Sequence, residues 1–282
     1  MNRGELGLAL VCLFWGATFV MVKSALDDVS TVLFLALRFS IATVLLFGVF
    51  RLRGRRLTSH GVWAGLLVGS LLYAGYLLQT IGLKYTTPAT SGFITGLYIP
   101  FVPVLQAIVF RRMPGMMEWL GILAATVGMG LLTLQSASFS IGLGELLTVG
   151  CAFAFAWHIL ALGHFSRKMD TDWLTLLQIA ACSAISLSSF WWVETPAVRW
   201  PPAVLSALAV TSVLATAVAF WIQTWAQART SPTRAVLIFS LEPVFAWGTS
   251  WLFLGEVLTA RALAGAVCIL AGILLVELKP AR

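Results

Sequence analysis

Apolar positions along this chain come as ten long uninterrupted runs separated by short polar breaks, with neither the alternation of a half-buried strand nor the single stripe of a soluble helix. A helix that crosses a bilayer needs about 20 mostly apolar residues, and the runs cover approximately 6–26, 31–50, 61–83, 88–110, 117–134, 143–162, 174–194, 203–226, 232–254 and 261–278. The connections leave no room for a soluble domain. The pattern predicts an all-α integral membrane protein of ten transmembrane helices. The first run is long for a secretory signal and lacks a small-x-small cleavage site, so it is read as a retained first helix.

The runs also repeat. Leu77 opens LLQTIGLKYTTPATSGFITGLYIPFVPVLQAIVF, and Trp221 opens WIQTWAQARTSPTRAVLIFSLEPVFAWGTSWLF. Gln79, Thr80, Thr86, Thr87 and Pro88 reappear as Gln223, Thr224, Thr230, Ser231 and Pro232, each 144 positions on. The chain therefore divides into two five-helix units, 1–140 and 141–282. Five is odd, so the second unit enters the membrane the other way up and the repeats are inverted. Duplicated helices interrupted by Pro in matched places point to a transporter's binding region, with the turn after Gln79 and the turn after Gln223 acting as opposite gates.

Composition agrees. The 282 residues are 60% hydrophobic and only 10% charged, against about 25% charged in soluble domains. The net charge of +7 does not point to nucleic acid, because the basic residues lie in loops between apolar runs. Arg3, Arg51, Arg53, Arg55, Arg56, Arg111, Arg112, Arg167, Lys168, Arg229, Lys279 and Arg282 fall on one side. Lys84, Arg199, Arg261, Asp27 and Asp28 fall on the other. The positive-inside bias puts both termini in the cytoplasm of a multi-pass protein of the inner membrane. Cys12, Cys151, Cys182 and Cys268 stand singly in apolar runs, with no spacing for a disulfide or metal.

The early LFWGATF, the ALRF of the second helix, PATSGFITGLYIPFVPVL and LEPVFAWGTSWLFLGEVLTARALAGAVCILAGILL together resemble the EamA-type members of the drug/metabolite transporter superfamily over the whole chain. The resemblance implies two inverted five-helix units around a central cavity. It also implies movement of small metabolites, often amino acids and their derivatives, usually outward. One departure is visible: Leu254 to Glu256 carry the family's LGE, whereas Arg111, Arg112 and Met113 stand at the matching place in the first unit.

Candidate site residues follow from polar or aromatic positions deep in the runs. Glu242 lies mid-helix, where an ionised carboxyl costs about 2.5–3.5 kcal/mol and must be protonated, paired or facing water; its counterpart is Tyr98. Pro100, Pro103 and Pro243 are expected to free the carbonyls of Gly96, Ile99 and Phe239, which either line a cavity or are satisfied by packing. Arg38 lies about 10 Å inside the second helix. It either snorkels to Asp27 or Asp28 or turns inward to a substrate carboxylate, and its counterpart 140 positions on is Gln178. Tyr76 with Gln79, and Phe220 with Gln223, give each unit an aromatic-plus-amide face. Thr18 and Trp157 match at a shift of 139, beside Trp15 and His158, the one mid-helix imidazole. The Gly61, Gly65, Gly69 and Gly92, Gly96 spacings favour close helix packing. Gly121 and Gly128 match Gly265 and Gly272; the resemblance, through small dimeric relatives that associate by the last helix, implies that these stripes are peripheral contact faces and leaves a homodimer open.

No G-x-S-G, H-E-x-x-H or nucleotide-binding motif is present, which argues against an intramembrane enzyme and against direct ATP coupling. The reading is a secondary transporter whose partners are a small-molecule substrate and the lipid bilayer, with no nucleic acid, cofactor or metal implied. A channel or facilitator is the alternative, although a channel has no need of inverted repeats with matched gates.

Overall fold

Every long apolar run becomes a helix, because a backbone in hydrocarbon must satisfy its own N–H and C=O groups. The computed structural model describes residues 2–51, 59–86, 88–111, 113–134, 142–254 and 259–277. The first unit comprises α1 (Arg3–Ala25), α2 (Thr31–Arg51), α3 (Ser59–Gly82), α4 (Pro88–Thr95) with α5 (Tyr98–Phe110), and α6 (Met116–Thr133). The second comprises α7 (Leu143–Phe165), α8 (Thr171–Val193), α9 (Pro202–Ser212), a π-turn (Val213–Val218), α10 (Ala219–Gln227), α11 (Pro232–Phe239) with α12 (Glu242–Leu254), and α13 (Ala260–Glu277). Taking α4–α5, α9–α10 and α11–α12 each as one path gives ten crossings. Among the described residues eight stretches are long and apolar enough to span a membrane, and a shorter apolar helix covers Ala260–Val276.

The sequence expectations at Arg53, Arg55, Arg56, Thr87, Arg112, Gly255, Glu256, Lys279 and Arg282 lie outside the described residues. The remaining helix limits agree with the apolar runs to within three residues. What the runs do not announce is how the units combine. Their helices interleave, so that α2 and α3 pack on α8, α3 on α7, α1 on α12 and α6 on α13. Large side chains such as Val44, Ile108 and Leu252 are 70%, 69% and 66% exposed, as expected of a surface that meets acyl chains rather than water.

The glycines of α6 and α13 correct one expectation. They do not form peripheral stripes: a Cβ on Gly128 would lie 2.6 Å from the carbonyl oxygen of Gly265, and one on Gly121 would lie 2.7 Å from that of Gly272. The two stripes face each other within one chain, where the missing side chains let the helix backbones touch. Gly65 and Gly69 likewise lie against Leu177 and Gln178, whereas Gly92 has open space around its Cα.

At one end of the bundle, the loops after α1 and α8 are laced by an antiparallel bridge between Val29 and Val198. Glu194 Oε1 there accepts the free N–H groups of Val32 (2.6 Å) and Leu33 (3.1 Å) at the start of α2. At the other end Asn2 and Glu5 form a reciprocal cap on α1, and the nearly inaccessible Glu5 also meets Arg234 at 3.4 Å.

Candidate functional site

Both hairpins of the repeat break in the same register, at Gly96–Leu97 and at Ser240–Leu241, 144 positions apart. At the first break the carbonyl is not liberated in the way the prolines alone suggest. Gly96 O, expected free, accepts the N–H of Ile99 at 2.9 Å through a tight turn. The consequence of the two breaks is positional: Thr95 and Tyr98 flank one break, Phe239 and Glu242 flank the other, and all four line a central cavity. A Cβ on Gly16 of α1 would stand 2.7 Å from Glu242 O, so the second break also depends on a glycine opposite it.

The cavity holds about 900 Å³ of empty space counting its open mouth. Its wall is built from matched pairs. Trp15 and Phe155, and Thr18 and His158, are related by a shift of 140; Tyr76 and Phe220, Gln79 and Gln223, Thr95 and Phe239, and Tyr98 and Glu242 by 144. The aromatic members touch across the site, with ring centroids 5.6 Å apart for Trp15–Phe220, 5.5 Å for Trp15–Phe239 and 5.4 Å for Tyr76–Phe155. Such offset and edge contacts hold the rings in fixed orientations around an apolar space.

Ten of the eleven expected cavity residues, Trp15, Thr18, Arg38, Tyr76, Gln79, Tyr98, His158, Phe220, Gln223 and Glu242, line this one cavity. Trp157 does not; it packs edge-on to the exposed Phe153, at 6.3 Å. The shift of 139 that joined it to Thr18 is one residue short, and one residue turns a helical side chain by about 100°. The shift of 140 that pairs Arg38 with Gln178 also pairs Trp15 with Phe155, a wall residue the sequence reading missed. Of the helix-break residues, Pro103 is buried inside α5.

Arg38 turns inward. Its Nε donates to Thr216 Oγ1 (2.7 Å), and Nη2 donates to the carbonyl of Ala215 (3.2 Å) and toward the Tyr76 hydroxyl (3.4 Å). The guanidinium also lies 5.0 Å from the Tyr76 ring centroid. Both acceptors on this side, Thr216 and Ala215, belong to the π-turn. Ala215 O takes a second bond from Trp15 Nε1 at 3.0 Å. Arg38 makes no ion pair with any described carboxylate and Nη1 keeps its donors, so a buried positive charge stands in the cavity wall with hydrogen-bonding capacity to spare.

His158 is bound differently. Gln178, the counterpart of Arg38, donates through its amide nitrogen to Thr224 Oγ1 at 3.0 Å, which turns its carbonyl toward His158 Nε2 at 2.9 Å. That nitrogen therefore carries the proton, and the imidazole is held by a satisfied neutral network. Glu242 receives no hydrogen bond from a described side chain and, with Arg38, gives the cavity two unpaired groups of opposite character.

The wall is unequal in one respect. Beyond the matched pairs the first unit adds Val22, Leu35, Arg38, Leu72, Thr80 and Leu83, while the second adds only Ile159. Leu83 lies just past the end of α3, so the cavity reaches the end of the bundle laced by Val29 and Val198 and stops short of the end that holds Asn2.

The EamA-like transporter family matches this chain twice, over residues 2–134 and 142–278. An uncharacterized transporter of Archaeoglobus fulgidus is 35% identical over 275 residues, spanning 98% of this chain and 86% of its own. The uncharacterized transporter YvbV of Bacillus subtilis is 29% identical over 287 residues, spanning 99% and 92%. One solved crystal structure superimposes with a TM-score of 0.83 at 17% identity, covering 99% of this chain and 98% of that one, a likeness of fold. Two family matches laid over two inverted five-helix units, a cavity at their junction and a relative similar along nearly the whole length lead to one assignment: this multi-pass membrane protein is a transporter of the EamA-like family, within the drug/metabolite transporter superfamily.

Proposed function

We propose that the chain is a secondary transporter of amino acids or closely related compounds with apolar or aromatic side chains, working by alternating access. The observation that carries the substrate class is the pairing of Arg38 and Glu242 within one aromatic cavity, each without an ionic partner of its own. A zwitterion with an apolar body suits that wall: the guanidinium takes a carboxylate, Glu242 takes an ammonium group, and Trp15, Phe155, Phe220 and Phe239 enclose the remainder. Each unit also contributes one amide, Gln79 and Gln223, that can bond either end of the solute. Both termini are proposed to lie in the cytoplasm, from the basic residues of the intervening loops, and export is the direction the family resemblance implies.

The test is flux into liposomes across a panel of amino acids and cationic amphiphiles, with and without a pH gradient. Saturable uptake and counterflow of large neutral amino acids are expected. Transport of the cationic amphiphiles with none of the amino acids rejects the carboxylate role of Arg38. Flux that neither saturates nor shows counterflow replaces the transporter reading with a channel.

A further inference from the structure

The inequality of the cavity wall has a counterpart on the other side of the pseudo-two-fold axis. Along α3 the wall runs through Tyr76, Gln79, Thr80 and Leu83 to the helix end. A shift of 144 carries these onto Phe220, Gln223, Thr224 and Gln227 of α10, where the wall stops after Gln223. On the facing helix, Arg38 of α2 lies on the wall while its counterpart Gln178 of α8 lies off it. Thr224, Gln227 and Gln178 are each at most 1% exposed, and contact between α8 and α10 seals them in.

Gln227 is the informative member. Both its amide oxygen and its amide nitrogen are buried without a hydrogen-bond partner, and the oxygen of Gln223 one turn earlier is in the same condition. A buried amide group left unpaired loses its bonds to water and gains none in return, so two glutamines one turn apart held in this way are costly in a purely structural role. Their spacing of four puts them on one face of α10, a polar track about 6 Å long leading from the cavity floor toward the Asn2 end. The track is shut by bonds that its mirror image lacks. Gln178 holds Thr224, Trp221 Nε1 donates to Asp172 Oδ1 at 2.8 Å, and Arg167 Nη2 donates to the carbonyl of Thr230 at 2.6 Å. On the other side the position matching Arg167 is Asp27, and Thr86, which matches Thr230, bonds to Glu145 instead.

We propose that Gln227, with Gln178 and Thr224, lines a second half-channel, closed in this structure, through which the substrate passes between the cavity and the Asn2 end of the bundle. This rests on the alternating-access reading and assigns it residues: the exchange opens the α8–α10 seam as the α2–α3 seam closes, and the glutamine amides then bond the passing solute or its water. The chemistry of the two halves differs. One is lined by the Arg38 cation and the apolar Leu83, the other by the neutral amides and hydroxyl of Gln178, Gln227 and Thr224, with Asp172 and Arg167 in the bonds that close its seam.

The test reads accessibility and requires no knowledge of the substrate. In full-length protein lacking Cys12, Cys151, Cys182 and Cys268, single cysteines Leu83→Cys, Gln223→Cys, Thr224→Cys and Gln227→Cys are challenged with a membrane-impermeant maleimide from each face of sealed proteoliposomes. Leu83→Cys is expected to react only from its own face, and Gln227→Cys and Thr224→Cys only from the opposite one. Gly163→Cys with Pro232→Cys, where a Cβ on the glycine lies 3.4 Å from the proline ring, provides an oxidisable clasp across the closed end. Closing it is expected to abolish labelling at 227 while sparing Leu83→Cys. If neither Gln227→Cys nor Thr224→Cys reacts from the Asn2 face while Gln223→Cys does, the path runs elsewhere and the proposal fails with alternating access intact. Undiminished labelling of 227 under the closed clasp also overturns it. If Gln223→Cys never reacts from that face, the alternating-access reading itself falls.

Discussion

Arg38→Gln is the replacement the repeat itself suggests, because Gln178 occupies the matched position. A glutamine amide nitrogen falls where Arg38 carries Nε, so a donor to Thr216 Oγ1 is retained. The carbonyl of Ala215 loses Nη2 but keeps Trp15 Nε1 at 3.0 Å and stays satisfied. The structural loss is therefore about one hydrogen bond, roughly 0.5–1.5 kcal/mol, small enough for folded protein to be recovered. The loss to a bound carboxylate is larger. One charge-assisted bond is worth about 1.5–3 kcal/mol, which corresponds to a roughly 10- to 100-fold change in KM.

The assay is a comparison in liposomes at matched protein levels, using phenylalanine and phenethylamine, which share a ring and an amine but differ in the carboxylate. Arg38→Gln is expected to raise KM for phenylalanine by that factor and to leave phenethylamine competition unchanged. Arg38→Lys is expected to fall between, since an ammonium supplies charge without the guanidinium's planar array of donors. Equal effects on both compounds, or an unchanged KM with a lower yield of folded protein, would show that Arg38 only anchors α2 to the π-turn and would refute the carboxylate assignment.

Glu242→Gln keeps the side chain's shape and cannot titrate, so flux is expected to lose its response to an imposed pH gradient; unaltered pH-driven flux at equal protein levels excludes Glu242 as the coupling group. Gly265→Val sets a Cβ 2.5 Å from the backbone oxygen of Gly128, and overpacking of that kind costs about 1–3 kcal/mol. The melting temperature in detergent should fall by several degrees, and an unchanged value argues against the α6–α13 contact. A single cysteine at Gly54, in the Arg51 to Arg56 segment, should resist an impermeant thiol reagent in intact cells, while one at Ser138 should react; the reverse pattern inverts the proposed orientation.

The helices and their duplication were legible because a bilayer imposes a length on every crossing and because a shift of 144 preserved residue identities at Gln79 and Gln223. The cavity wall was legible to the extent that the register of the two units was right. In the α3 and α10 faces it was right, and Tyr76, Gln79, Phe220 and Gln223 meet in one site. Midway along the first and seventh helices no repeated polar identity distinguishes 139 from 140, and the single-residue slip selected Trp157 over Phe155. A check was present in the Gly4–Glu5–Leu6 and Gly144–Glu145–Leu146 segments, which align only at 140, and in each the glutamate accepts the N–H of the residue three before it, Asn2 or Gly142. Interleaving was not legible, since apolar periodicity says which residues avoid water and, in a membrane, every face of a helix does.

The direction taken by Arg38 was hidden for a related reason. Whether a long basic side chain snorkels or turns inward depends on what the neighbouring helices offer at its depth, and Thr216 Oγ1 and Ala215 O, which it meets, both lie in the π-turn that joins α9 to α10. The segment Val213–Val218 carries neither proline nor glycine, so nothing in its composition announces the widened turn. That dependence also explains why the charged groups sit where the two units differ. A duplicated frame with Trp15 and Phe155, Tyr76 and Phe220, and Thr95 and Phe239 supplies the same wall twice and has no preferred end for a zwitterion to bind. Arg38 facing Gln178 and Glu242 facing Tyr98 break that equivalence, with the cation on the second helix of one unit and the carboxyl at the helix break of the other. Under the proposed binding of a zwitterion, the orientation of the solute follows from substitutions at two positions of an otherwise paired scaffold, and exchanging residues between matched positions is the direct way to reverse it.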